Sequence, residues 1–347
     1  MCSLFKAKDM GIDLGTANTL IYVKGSGIVL NEPSVIAVEK KTEKTLAVGQ
    51  EAKNMLGKAP ARIAVVRPLQ DGVISDFDRT ADMLKSFLET ALKVKRIRNF
   101  RVVVGVPSGV TEVEKRAVEE IVRQMGASEV FILEEPMAAA IGAGMPVDGT
   151  NGCMIADIGG GTTDVAIIAL GGVVVSTSIR HAGDKMNEAI VQYMRKRHSL
   201  LIGEQTAEEL KVNIGCAMLD EDENGNEIIQ SMNARGRDIL SGLPKTLPVT
   251  NKDIMIALEE SVGIIVDAIK ATIEKAPPEI AADVAECGML LSGGGGMIHN
   301  LDKVIKKRTG MDVAVAENAF EAVAEGTGRS LEDIEKLKIY AQNGKKR

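Results

Sequence analysis

Tryptophan is absent from the 347 residues, and aromatic residues of all kinds make up 3%. Recognition of single-stranded nucleic acid by base stacking therefore has little to work with. The net charge of −6 at pH 7 also gives no positive whole-molecule field, so no nucleic-acid partner is expected. The four cysteines, Cys2, Cys153, Cys216 and Cys287, lie far apart with no CxxC pair. That spacing argues against structural zinc and a disulfide framework, and for a reducing compartment. The three histidines, His181, His198 and His299, share no ligand spacing, and His299 reads as structural. No apolar run approaches the ~20 residues of a membrane span. The N-terminus lacks the apolar core of a secretory signal. A soluble, cytoplasmic protein is expected.

What remains is ordinary globular composition, 45% hydrophobic and 26% charged, in a chain long enough for two domains. Apolar runs and turn residues predict strands over 11–23 (two, joined at Gly15–Asn18), 35–38 and 46–48 (a hairpin), 101–106, 130–133, 153–156, 165–170, 173–179, 288–291 and 313–316. The stretch from Gly49 to about Arg67 reads as polar and irregular. Helical periodicity predicts helices over 78–94, 137–141, 184–198, 252–275, 301–308, 320–325 and 331–341. Thr111 with Glu114 forms a capping box for a helix reaching Met125, and Thr206 with Glu209 a second box over 207–214. The acids from Asp220 to Glu223, before Asn224-Gly225-Asn226, read as a solvated turn rather than a metal site. Strands alternating with helices indicate an α/β fold.

Three glycine turns stand out. The central one, Asp157 to Asp164, has Gly159, Gly160 and Gly161 flanked by threonines and two aspartates. A hairpin needs one or two glycines, not three with paired acids. Consecutive backbone N–H groups in such a turn form an anion nest, and the aspartates call for a hydrated Mg²⁺ beside any phosphate. Asp13-Leu14-Gly15-Thr16 repeats the layout 144 positions earlier (157 − 13). The pair suggests two related halves facing one cleft, a usual ligand site. The third turn, Gly293 to Gly296, follows a strand and precedes a helix. No GxxxxGK[ST] is present, so a P-loop is not indicated.

Together, Gly11–Thr19, Asp157–Asp164 and Leu291–Gly296 resemble the phosphate-1, phosphate-2 and adenosine motifs of the actin-like ATPases. Within that superfamily the chain is similar to the MreB/Mbl group of bacterial cell-shape proteins. Asn31–Val35, Gly105–Thr111, Glu134–Gly142 and Arg180–Asn187 extend the resemblance over nearly the whole chain. It implies an actin-like fold of two related α/β, ribonuclease H-like domains around a nucleotide cleft. The first domain would take residues 1–145 plus about 318–347, with a small subdomain at about 31–75. The second would take 146–317, with a small subdomain at about 182–245.

The resemblance also implies roles for residues. Thr16, Ala17, Asn18, Gly159, Gly160 and Gly161 would grip the ATP phosphates, and Asp13, Asp157 and Asp164 would hold Mg²⁺ through water. Gly293, Gly294, Gly295 and Gly296 would pack against adenosine, with Glu208 and Lys211, one helical turn apart, meeting ribose and adenine. Alone, that pair reads as a surface salt bridge. Glu135 would orient the hydrolytic water, assisted by Thr162. Charge at a helix N-terminus would explain Glu134 equally well, so choosing Glu135 rests on the resemblance.

ATP-dependent homopolymeric filaments, attached to the inner membrane face and working with membrane-bound cell-wall elongation proteins, are implied too. Lys93, Lys95, Arg96, Arg98 and Arg101 cluster around Ile97 and Phe100, and Leu4 and Phe5 precede Lys6 and Lys8. Such clusters suit an anionic leaflet, or simply a solvated loop. Alternatives on the same fold are a chaperone-type ATPase, expected to carry a separate peptide-binding domain for which the chain has no room, and a small-molecule kinase, for which no acceptor base is identified.

Overall fold

The computed structural model describes residues 9–93 and 99–343. Its first sheet begins with the expected hairpin, β1 (Asp9–Leu14) and β2 (Asn18–Val23), extended by β3 (Gly27–Pro33). The chain then leaves this sheet. β4 (Ile36–Glu39) and β5 (Thr45–Val48) form the second expected hairpin, followed by α1 (Gly49–Lys53) and β6 (Ile63–Val66). A short hairpin, β7 (Leu69–Gln70) and β8 (Val73–Ile74), leads to α2 (Phe77–Leu92). β9 (Phe100–Val106) and β10 (Ala127–Glu134) return parallel to β1, with α3 (Glu112–Gln124) between them under the predicted Thr111–Glu114 capping box. α4 (Glu135–Gly142) continues directly from β10.

The second sheet repeats this plan. β11 (Cys153–Ile158), β12 (Thr163–Ala169) and β13 (Gly172–Ile179) are antiparallel neighbours. An excursion follows through α5 (Gly183–His198), β14 (Leu200–Leu201), α6 (Glu204–Ile214), β15 (Ser231–Asp238) and β16 (Pro244–Thr250), whose strands pair as a small antiparallel sheet. After α7 (Asn251–Glu274) and α8 (Pro278–Cys287), β17 (Met289–Ser292) pairs parallel to β11. A 3-10 turn at Gly294–Met297, α9 (Leu301–Thr309) and β18 (Val313–Val315) complete this half. α10 (Ala322–Ser330) and α11 (Ile334–Asn343) close the described chain. The sheet orders, β3-β2-β1-β9-β10 and β13-β12-β11-β17-β18, are the same arrangement twice, so Asp13 and Asp157 occupy equivalent penultimate positions of β1 and β11.

Several expectations need correction. The stretch to Arg67 contains α1 and β6, because β6 pairs with β4 and Val35, Ala37, Ala47 and Ala52 make a small core beneath them. Thr206 does not cap a helix: α6 starts at Glu204 with Gly203 before it, so Thr206 lies inside. The closing helices lie a few residues downstream of their predicted starts. The membrane cluster also changes. Phe100 is 1% exposed in β9, and the Arg101 guanidinium is engaged by both Asp9 carboxylate oxygens at 2.8 and 2.7 Å. Neither is free to meet a bilayer. Lys95, Arg96, Ile97 and Arg98, like Leu4, Phe5, Lys6 and Lys8, lie outside the described residues.

The layers stack in order. α2 and α3 cover the outer face of the first sheet through Met10, Ile12, Phe87 and Ile121. α5, α7 and α9 cover the outer face of the second through Ile190, Ile265, Ile269 and Ile305. Between the sheets lie α4 and α10, sharing one core with Val103 on one side and Ile155 and Ile168 on the other. The two helices touch backbone to backbone. A Cβ on Gly326 would lie 1.7 Å from the Ala138 carbonyl oxygen, and one on Gly142 would lie 1.8 Å from that of Ala322.

Helix propensity alone makes Gly326→Ala favourable by up to about 1 kcal/mol. Overpacking at a backbone contact costs about 1–3 kcal/mol, so Gly326→Ala should destabilise. Urea unfolding checks the sign, and a stabilised variant would show that the crossing relaxes freely.

Candidate functional site

The three glycine turns meet in one cleft between the two halves. Its floor is made where β1 and β11 end. The β11–β12 turn is closed by the Gly159 N–H donating to the Thr162 carbonyl at 2.9 Å. It lies directly against the β1–β2 turn. A Cβ on Gly160 would come 2.6 Å from the Ala17 Cβ, and one on Gly161 2.6 Å from the Thr16 hydroxyl. Side chains on this turn would push the halves apart. The Thr16 hydroxyl also accepts from the Gly72 N–H at 3.0 Å, tying in the β7–β8 turn. The third turn enters from the second half. Gly293 has φ +76° and leaves no room for a Cβ beside the Ile158 carbonyl, a conformation open chiefly to glycine. The following glycines wind into the 3-10 turn, and the predicted helix begins only at Leu301.

The cleft brings together most of the anticipated residues. Asp13, Thr16, Ala17, Asn18, Glu135, Asp157, Gly159, Gly160, Gly161, Thr162, Glu208, Lys211, Gly293, Gly294 and Gly295 line it. Two do not. Gly296 is buried behind, against Leu291. Asp164 is wholly buried beside the floor, where its carboxylate accepts from the Ser108 N–H at 2.9 Å, a link from one half to the other. The two glutamates left open by the residues alone separate cleanly. Glu134 accepts from the Ser108 hydroxyl at 3.0 Å, whereas Glu135, first residue of α4, faces the cleft.

Lys53, Arg67, Asp184, Asn187, Val212 and Phe320 also line the cleft. Lys53 and Arg67 come from the stretch expected to be irregular, and no motif marked them. Both cations are committed across the mouth. Lys53 pairs with Glu208 at 2.8 Å, and Arg67 with Glu204 at 2.7 Å and Asp184 at 3.2 Å. Lys211 donates to the Gly183 carbonyl at 2.8 Å, and burial lowers its pKa.

The floor is different. Asp13 is half-buried beside the buried Glu135 and Asp157, and none of the three forms an ion pair among the described residues. Burial raises the Asp13 carboxyl to about 7, with repulsion from Asp157 adding to it. Burial raises Asp157 to about 7, partly offset by the Ser292 hydroxyl donating to its Oδ1 at 2.7 Å. Glu135 is pushed well above the usual range by burial and by the charges of Asp164, Asp13 and Asp157. Burial also raises Asp164, to about 6, against the opposing hydrogen bond from Ser108. Such a group of acids is stabilised by a cation. No three of the described histidine, cysteine or carboxylate groups converge closely enough to ligate an ion directly. The donor set therefore suits a hydrated ion held at one remove, the usual habit of Mg²⁺.

Two duplicated sheets closing on a cleft lined by three glycine turns define the actin-like class. Solved relatives agree: MreB 5 of Spiroplasma citri bound to AMPPNP superposes with TM-score 0.90 at 38% identity, covering 96% of this chain and 98% of that one. The filament-derived structure described as "MamK double helical filament" has TM-score 0.78 at 22% identity over 94% of this chain and 99% of its own, a likeness of fold alone. The sequence model described as "MreB/Mbl protein" matches residues 7–339, and the chain belongs to that family. It is 48% identical over 334 residues to the cell shape-determining protein MreB of Escherichia coli (strain K12), covering 95% of this chain and 94% of the relative. It is 46% identical over 332 residues to the cell shape-determining protein Mbl of Bacillus subtilis (strain 168), covering 95% and 98%.

The acids at the floor make the ligand-free protein pH-sensitive. Between about pH 4 and pH 7 the folded chain keeps protons on Asp13 and Asp157 that the unfolded chain has released. Stability should therefore fall as pH rises through that window and level off above it. Asp157→Asn keeps the acceptor for Ser292 and removes the charge. It should raise the ligand-free Tm at pH 7.5 by several degrees and flatten the pH slope. An unchanged slope in thermal melts from pH 5 to 8 would rule out a proton held on Asp157 by its burial at the floor.

Proposed function

We propose that this chain binds ATP with Mg²⁺ in the cleft, hydrolyses it slowly, and assembles with other copies into filaments whose dynamics follow the nucleotide. The carrying observation is the floor itself: half-buried Asp13 beside buried Glu135 and Asp157, with no ion-pair partner among the described residues, beneath two interlocked glycine turns. The MreB5 relative, described bound to AMPPNP and to ADP, supports the choice of nucleotide. The working division is residues 1–145 plus about 318–347 as one domain and 146–317 as the other. Their small subdomains at about 31–75 and 182–245 carry the mouth contacts.

In this reading backbone N–H groups around Gly15–Asn18 and Gly159–Thr162 hold the phosphate oxygens, the Gly159 N–H itself closing the turn on the Thr162 carbonyl. Glu208 and Lys211 face the ribose and adenine, with Gly293–Gly295 against the adenosine and Gly296 supporting them from behind. Asp13 and Asp157 hold the hydrated ion, with Asp164 behind them. Bound there, Mg²⁺ would neutralise charge on the phosphates. Glu135 accepts a hydrogen bond from the attacking water and aligns it, and the Thr162 hydroxyl contacts the same water. Catalysis of this kind is mostly positioning and charge stabilisation.

The cell shape-determining relatives support a cytoskeletal role; organising cell-wall synthesis with membrane-bound elongation proteins as partners is the part of the reading that rests on the family resemblance alone. Peripheral attachment at the inner face of the cell membrane rests on the basic stretch from Lys93 to Arg98, not on Phe100 or Arg101. The test is ATP turnover and pelleting of purified protein, with and without anionic liposomes. Wild type should turn over slowly and pellet more with liposomes. Glu135→Ala should bind ATP normally and lose about 10²–10⁴-fold in turnover; unchanged turnover would remove Glu135 from the chemistry. Turnover without any assembly would favour the small-molecule kinase reading.

A further inference from the structure

We propose that the base end of the cleft opens into a second pocket, which takes an apolar group carried on the 6-amino nitrogen of the bound adenine. The substrate class of the site thereby extends to N6-substituted adenosine triphosphates. The inference rests on the ATP reading given above and specifies its base end.

The pocket and the cleft share a wall. Lys211 and Val212 of α6, Gly294 of the third glycine turn and Phe320 line both. With the adenosine between α6 and that turn, whatever projects beyond the base enters the second pocket. The edge of adenine farthest from the sugar carries the 6-amino group. The helix end favours that edge. Ile214, Gly215 and Cys216, where α6 finishes, line the pocket. The last four carbonyls of a helix have no partner within it and form the negative end of its dipole. Of these four, the Lys211 carbonyl accepts from the Gly215 N–H at 3.0 Å. An amino N–H suits the others, and a singly substituted 6-amino group keeps one.

The interior specifies the substituent. Val212, Met297, Ile228 and Phe320 are 73, 58, 43 and 39% exposed, and all four line this one hollow. Single exposed apolar side chains are ordinary, but four converging on a concavity beside a ligand cleft mark a place for apolar matter. The carboxylate and the buried amide in the wall are already engaged. The Asn251 amide accepts from the Gln230 N–H at 3.1 Å and donates to the Ile228 carbonyl at 3.0 Å. Asp220 is held by His299 at 2.6 Å and by the Asn300 amide at 2.9 Å. The Cys216 thiol, 3% exposed, donates to the Asn251 carbonyl. An entering group therefore meets mainly carbon. A polar substituent would lose its water without replacement, whereas an aryl group would not.

Calorimetric titration of the purified protein with ATP and with N6-phenethyl-ATP, both with Mg²⁺, tests this. Wild type should bind the two about equally. Ile228→Trp and Gln230→Trp each fill the pocket from the loop before β15, away from the residues assigned to ATP. Each variant should hold ATP as wild type does and bind the N6 analogue about tenfold more weakly or worse, the scale on which an apolar pocket discriminates by shape. Wild type that binds the analogue at least about tenfold more weakly than ATP, or filled variants in which the two nucleotides still bind alike, overturns the pocket while leaving ATP in the cleft. Wild type that binds neither nucleotide overturns the ATP reading and this inference with it.

Discussion

The close crossing of α4 and α10 sets the spacing of everything around it. With Gly142 and Gly326 at the contact, the two helix backbones meet without intervening side chains. The two sheets can then lie on opposite sides of one thin helical layer. That thinness brings the ends of β1 and β11 into reach of each other, so that Gly160 abuts Ala17. Glu135 gains its position from the same layer, as the first residue of α4, aimed at the junction of the two strands.

The cleft floor is built against its own electrostatic interest. Burial raises the pKa of Asp13, Glu135 and Asp157, the charge of Asp157 adds to the rise at Asp13 and Glu135, and hydrogen bonds from Ser292 and Ser108 offset only part of it at Asp157 and Asp164. Packing elsewhere sustains this arrangement: the shared core between the sheets and the paired outer layers do not depend on the floor's protonation. A site strained in this way gains more from a bound cation than a neutral one would, because the ion relieves repulsion as well as making new contacts.

Much of this was legible in the sequence because the informative features are local. Glycine turns, the Thr111–Glu114 cap and the apolar stripe of α2 each lie within a few residues of chain. The small sheet of β14, β15 and β16 was not legible. β15 reads Ser-Met-Asn-Ala-Arg-Gly-Arg-Asp, with only Ala234 fully buried, and β16 carries Pro244 and Pro248. Such strands exist because they pair, not because they alternate. The mouth cations were hidden for a related reason: Lys53 and Arg67 meet Glu208 and Asp184 across more than a hundred residues of chain. Phe100 misled by its neighbours, since a basic flank made an interior residue look like a surface one. Asp164 lay in the right motif, yet its carboxylate turned to Ser108, a partner visible only once the halves are brought together.

The two ends of the cleft are fastened by different forces. At the floor the halves meet through carbon packing and short backbone contacts, which dissolved ions barely touch. At the mouth they are joined by Lys53, Arg67 and their carboxylate partners, all partly open to water, where ions screen attraction over about 8–10 Å at physiological strength. The two halves are thus joined by one material at the floor and another at the mouth. Ionic surroundings set how tightly the mouth is held and leave the packing at the floor as it was.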